Sequence, residues 1–187
     1  MKKMTKNKQF SFQLKGVKPE PSEHGGSIKN PQKRKRPLGL RSTTHLVLRS
    51  SQAKKDWSLA CHRFKIDKIL RQFSKKFGIQ ILNHANVGNH LHLHLKMRSR
   101  RDYKSFIRAV TSAIATKVTG YSRWNKAPEG FKFWDQRPFS RIVSAWSDML
   151  NTKNYVELNR WEGLGMDRAA ARVLIRRGWL APDLGSG

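Results

Sequence analysis

Acidic residues and cysteine are what this chain has least of. Its 187 residues include 12 Asp+Glu against 39 Lys+Arg, for a formal net charge of +27. That imbalance argues against a cationic partner and points to a polyanion. Nucleic acid comes first, an anionic membrane surface second. One cysteine, Cys61, excludes an internal disulfide and fits a reducing cytosol. Long apolar runs are missing too, so nothing is expected to span a bilayer. The basic N-terminus lacks the apolar stretch of a secretory signal. Hydrophobic residues make up 37% of the chain, enough for one modest core.

Residues 1–41 read as a basic, disordered tail. They hold twelve of the Lys/Arg and two of the Asp/Glu, and Pro19, Pro21, Gly25, Gly26 and Pro31 interrupt any periodicity. Such a segment buries too little apolar surface to offset its chain entropy. Its cluster Lys33, Arg34, Lys35, Arg36 suits either a nucleic-acid arm or a solvated leader. Residues 42–163 read as the folded domain and 164–187 as a basic C-terminal helix and tail.

Within 42–163, Thr43 to Arg49 is apolar and β-branched enough for a strand. Ile66, Ile69, Leu70, Phe73 and Phe77 follow helical spacing from Phe64 to Phe77, and Gly78 supplies the stop. A second strand starts at Ile79 and runs towards Val87. The Gly88-Asn89 turn then makes a hairpin with the strand after it. Asp102 is expected to cap a helix from Tyr103 to Val118. Residues 121–138 are irregular, Phe139 to Val143 is a strand, and a helix runs from about Ser147 to Trp161. Asp167 can cap a last helix through Arg177. The order predicts an α+β fold: a ferredoxin-like βαββαβ antiparallel sheet, helices on one face, with an added C-terminal helix on the other.

The third strand carries His90, His92 and His94 alternating with Leu91, Leu93 and Leu95. Side chains on a strand alternate faces, so the leucines cover the helices and the imidazoles share the open face. His90 and His92, about 6–7 Å apart along the strand, can converge on one divalent ion. The helix at 147–161 is the natural cover. It presents Asn151, Tyr155, Asn159 and Glu162 on one side. Asn159 can add an oxygen ligand beside His90 and His92, a set with open positions that suits Mg2+ or Mn2+ handling a phosphate. Tyr155 can act as a nucleophile. Of the three tyrosines, neither Tyr103 nor Tyr121 has an asparagine one turn on. Glu162 and Asn151 read either as groups supporting the site or as solvated polar residues.

Val87-Gly88-Asn89-His90-Leu91-His92-Leu93 resembles the motif of the HUH single-tyrosine transposases, in particular the REP-associated tyrosine transposase branch of the IS200-like family. The resemblance runs from about His45 to Gly163. It includes Arg137-Pro138-Phe139-Ser140-Arg141-Ile142-Val143 and Asn154-Tyr155-Val156-Glu157-Leu158-Asn159. It implies the ferredoxin-like fold, His90 and His92 as metal ligands, Asn159 as third ligand and Tyr155 as nucleophile. It also implies cleavage and rejoining of single-stranded DNA beside a hairpin, through a 5′-phosphotyrosine and a free 3′-OH. A cytoplasmic protein, nucleoid-associated when bound to DNA, follows, as a monomer or homodimer. His94 stands where the family usually carries an apolar residue and reads as a spare ligand, a group supporting the ligands or a surface histidine.

Around this site, Lys96, Arg98, Arg100, Arg101, Arg108, Arg123 and Lys126 can track a phosphate backbone. Trp124, Phe131, Phe133 and Trp134 can stack on unpaired bases or fill a small secondary core. Two rival functions share the same sequence features. One is a non-enzymatic binder of structured RNA or DNA; the other is a metal nuclease that uses water in place of tyrosine.

Overall fold

The computed structural model describes residues 23–26 and 36–182. Its elements are β1 (Glu23–His24), β2 (Thr43–Arg49), α1 (Arg63–Phe77), β3 (Gln80–Asn86), β4 (His90–Lys96), α2 (Arg100–Thr119), β5 (Phe139–Val143), α3 (Trp146–Gly163) and α4 (Arg168–Arg176). The sheet runs β1-β5-β2-β4-β3, and every neighbouring pair is antiparallel. From β2 to β5 this is the expected βαββαβ order.

Period-2 patterning on β4 splits the molecule into two layers. Leu91, Leu93 and Leu95 are fully buried against Ile66 and Leu70 of α1 and Phe106, Val110 and Ile114 of α2. Each such side chain contributes about 1.5–3 kcal/mol when removed from water. The imidazole face lies beneath α3. There the Asn83 side-chain amide donates to the Lys153 carbonyl at 3.1 Å. A β-bulge between Ile81 and Asn83 shifts the register of β3 on β4. Ile81 pairs with Leu95, but Asn83 pairs with His94, His84 with Leu93 and Ala85 with His92. The bulge turns Asn83 towards α3 and lets His84 reach Asp67 of α1 at 2.9 Å.

Several boundaries differ from the sequence expectation. α2 begins at Arg100 because Ser99, not Asp102, is its N-cap: the Ser99 hydroxyl accepts from the Asp102 N–H and donates to the Asp102 carboxylate. The two residues form one local cap three positions apart. α3 starts a residue earlier and ends two later than expected. Asp167 caps α4 as expected, accepting from the Ala169 and Ala170 N–H groups. Gly78 and Gly120 end α1 and α2 with φ of 62° and 75°, the left-handed conformation that glycine adopts without penalty.

Parts of both outer segments are seated on the sheet domain. Glu23 and His24 pair with Arg141 and Ser140 of β5. Arg36 donates to the Pro138 carbonyl at 2.6 Å and to the Ser140 hydroxyl at 2.8 Å. At the other end, Ala171 and Ala181 are buried, and the Ala181 N–H donates to the Glu157 carboxylate of α3.

The irregular segment 121–138 contributes to the core rather than presenting most of its aromatics. Phe133 is buried, with Phe131 and Trp134 packed beside it. The Trp134 indole donates to the Thr111 carbonyl at 2.9 Å. Phe131 meets Trp57 and Tyr121 edge-on.

Candidate active site

An open cleft of about 540 Å³ lies where the start of β4, the end of β2, the segment before β5 and α3 meet. His90, His92 and Tyr155 line it with Arg49, Asn89 and Arg137. The fold thus brings together a histidine pair and a tyrosine that are more than sixty positions apart in the chain.

Each of the two histidines is held through its Nδ1. His90 Nδ1 lies 2.6 Å from the Asn89 side-chain oxygen. An amide oxygen only accepts, so His90 donates from Nδ1 and its Nε2 keeps the lone pair when the ring is neutral. His92 Nδ1 is 3.2 Å from Nε2 of His45 on β2, while His92 Nε2 is buried with no hydrogen-bond partner among the described residues. The His90 and His92 ring centroids are 4.7 Å apart. Tyr155 stands edge-on to His92 at 5.5 Å and to His45 at 5.8 Å. Tyr155 is 43% exposed, so an incoming substrate can reach it.

Protonation follows from the surroundings. Burial, then the charges of His45 and His90, pushes His92 down to about 3 from 6.5. Burial, then His94 and Arg141, pushes His45 down to about 4. Burial also lowers His90, with Arg49 adding to the effect and Glu162 opposing it. All three rings are neutral at pH 7, the form that binds a cation.

These residues fit a divalent ion. Among the described residues the buried Nε2 of His92 has no hydrogen-bond partner, so a cation can take that place, and His90, with its Nδ1 engaged by Asn89, has its Nε2 left for the same ion. Among the described residues no group of three or more His, Cys, Asp or Glu side chains is placed to hold a metal ion. Within those residue types, two imidazoles are what the described residues offer a metal ion here.

Other expected residues fall elsewhere. Asn159 is buried and does not line the cleft. Its amide donates to the Tyr155 carbonyl at 2.7 Å. His94 is 1% exposed and bonds the Thr43 hydroxyl at 2.7 Å, away from the cleft; the surface-histidine reading is corrected. Glu162 makes a two-pronged pair with Arg168 at 2.7 and 2.8 Å, and its charge reaches His90. Asn151 is exposed on α3, outside the cleft.

The expected DNA contacts divide in the same way. Lys96 and Arg98 are exposed, at the end of β4 roughly 20 Å along the strand from His90. Arg101, Arg108 and Lys126 are exposed as well. Arg123 lies 5.0 Å over the ring of Trp124, which is 86% exposed. Arg36 and Arg100 spend guanidinium donors inside the fold, Arg100 on the Arg36 carbonyl at 2.6 Å. Lys33, Arg34 and Lys35 lie outside the described residues. Sequence reasoning did not single out His45, Arg49 or Arg137 as site residues. His45 and Arg49 share parity with the imidazole face once β2 is paired antiparallel with β4, so strand pairing was the available signal.

Comparison with known proteins adds a family. The family described as "Transposase IS200 like" matches residues 40–159. Among solved structures, a REP-associated tyrosine transposase bound to a REP hairpin is 12% identical, with a TM-score of 0.56 over 83% of this chain and 94% of that one. A candidate transposase from Deinococcus radiodurans is 15% identical, with a TM-score of 0.41 over 71% of this chain and 98% of that one. Only the first likeness bears on the fold. No curated protein matches the chain.

Proposed function

Since this chain belongs to the IS200-like transposase family, we propose that it cleaves and rejoins single-stranded DNA with Tyr155 as nucleophile and a divalent ion held by His90 and His92. One observation carries the reading. His90, His92 and Tyr155 line one cleft within a single chain, and among the described residues a buried imidazole nitrogen of His92 has no partner. Asn159, one turn after Tyr155, is the proposed third ligand through its side-chain oxygen, since its amide nitrogen is taken by the Tyr155 carbonyl; it lies outside the cleft lining.

Bound Mg2+ or Mn2+ supplies Lewis-acid polarisation of the scissile phosphate. The chain's own residues do the rest. Tyr155 Oη forms a bond to phosphorus as the bond to the 3′-oxygen breaks. The tyrosine gives up a proton and the departing 3′-oxygen takes one up, leaving a 5′-phosphotyrosine and a free 3′-OH. Attack by another 3′-OH reverses the step and joins the strands. Arg49 and Arg137, both exposed at the cleft, neutralise phosphates on either side of the reacting one. The exposed Arg123–Trp124 pair offers a base-stacking surface. The hairpin held by the structural relative supports a hairpin-bearing substrate here as well.

The test is an adduct assay with Mn2+ and a library of single-stranded hairpins. Wild-type protein should give a denaturation-resistant adduct whose peptide map ends on Tyr155. Tyr155→Phe should lose it, with an unchanged melting temperature. Cleavage that persists without an adduct would replace this mechanism with a water-using nuclease. Chelator-insensitive binding with neither cleavage nor adduct would leave only a binding protein.

A further inference from the structure

The hydrogen bond between His45 and His92 has a direction that its geometry alone leaves open, and only one direction suits the cleft. The N···N distance is 3.2 Å, the ring planes lie 5° apart and the centroids are 5.4 Å apart. At that centroid spacing, 3.2 Å is close to the shortest N···N distance two imidazoles can have. Both nitrogens therefore sit on the line joining the centroids, and the bond runs in the plane of both rings. This is an in-line hydrogen bond between coplanar imidazoles, not a stack. His45 stands diagonally from His92, one pleat along β2 from its cross-strand partner Val47.

Two neutral imidazoles share one proton across such a bond. If His45 donated, His92 would carry its own proton on Nε2. That N–H would be buried without an acceptor among the described residues, a costly arrangement that a cation could not relieve, because Nε2 would then have no lone pair to offer. If His92 donates from Nδ1, its Nε2 keeps a lone pair whose missing partner a cation can supply, and His45 holds its own proton on Nδ1. His90 has no such ambiguity, because the Asn89 oxygen can only accept.

We infer that His45 is a positioning residue: by accepting a hydrogen bond from His92 Nδ1 it fixes the ring and the tautomer that present His92 Nε2 to a divalent cation. The inference rests on the proposed metal role of His90 and His92. Partners of this kind, which hold the far nitrogen of a ligating histidine, typically change metal affinity by about 10–100-fold when removed. They are usually carboxylates or carbonyls. Here a third imidazole on the neighbouring strand takes that place. Its ring is buried and does not line the cleft, so it acts through His92 rather than on substrate.

The experiment has two arms, neither of which needs DNA. In the first, ring-nitrogen NMR of the metal-free wild-type protein reads the His92 tautomer. Protonated Nδ1 and bare Nε2 are expected; an Nε2–H tautomer overturns the inference without any variant. In the second, Mn2+ titration followed by the EPR signal of the free ion compares wild type with His45→Leu and His45→Gln. Leucine removes the acceptor and should weaken binding by about 10–100-fold. Glutamine places an oxygen where His45 Nε2 sits and should restore affinity to within about threefold. Equal affinity in all three, or equal loss in the leucine and glutamine variants, overturns the role. Wild-type protein that fails to take up Mn2+ sinks the metal reading itself, while the tautomer still decides what His45 does to His92.

Discussion

His45 and His92 are neutral in the fold, with pKa values pushed down to about 4 and about 3, first by burial. In the unfolded chain both return to 6.5. Below that pH the unfolded state takes up protons that the native state refuses, so stability falls as pH drops. It continues to fall until the folded rings titrate as well. Melting temperature should therefore decline between pH 7 and pH 4.5, and the decline should be shallower in His45→Gln, which removes one of the two groups. A parallel decline in both proteins would contradict the assignment. The same rings show what a linear sequence displays at this scale. His90, His92 and Tyr155 were legible because alternation and one-turn spacing are local. The part played by His45 depends on which residue of another strand lies diagonal to it, and pairing is not local. Asn159 was legible as a neighbour of Tyr155 on one helix side, yet its amide meets the Tyr155 carbonyl, a contact that spacing does not distinguish from one to the cleft.

α3 is the element on which the site depends, because it carries Tyr155 over strands that carry the histidines. Its last residue, Gly163, abuts the Asn86 carbonyl at the end of β3, where an added Cβ would collide with backbone. Arg63 of α1 also donates to the Gly163 carbonyl. Gly163→Ala should push the end of α3 off the sheet, at a cost of about 1–3 kcal/mol, seen as a lower urea midpoint. Adduct yield should fall as well, because Tyr155 rides on the same helix. An unchanged midpoint would mean that the helix end yields without strain. Helices and strands with strong periodicity were readable from residue pattern alone: the leucine face of β4 and the apolar stripes of α1 and α2 each specify one side. β1 was not readable. Glu23 and His24 have no strand-forming pattern of their own and are extended because β5 offers an edge. The start of α2 was misplaced because Ser99 and Asp102 are both capping residues three apart, and only the geometry chooses between them.

Across the whole molecule, positive charge is distributed rather than concentrated at the cleft. Arg49 and Arg137 are at its edge, whereas Lys96 and Arg98 lie at the opposite end of β4. Hairpin affinity should fall steeply with salt. Arg49→Ala with Arg137→Ala should reduce the log–log salt slope by about two if each meets one phosphate. An unchanged slope would remove the cleft arginines from the DNA path. The bulge in β3 sets a different kind of boundary, on how the chain can vary in length. Leu82 is the residue skipped by the pairing: Ile81 faces Leu95 and Asn83 faces His94. Deleting Leu82 therefore leaves every later pair of β3 in register and should preserve cooperative melting. Deleting Val47 from β2 would instead exchange the faces of the residues beyond it, driving leucine towards Tyr155 and histidine into the apolar layer. One position in β3 can thus be gained or lost in descent without disturbing the chemistry, while β2 and β4, on either side of the His45–His92 bond, are fixed in length.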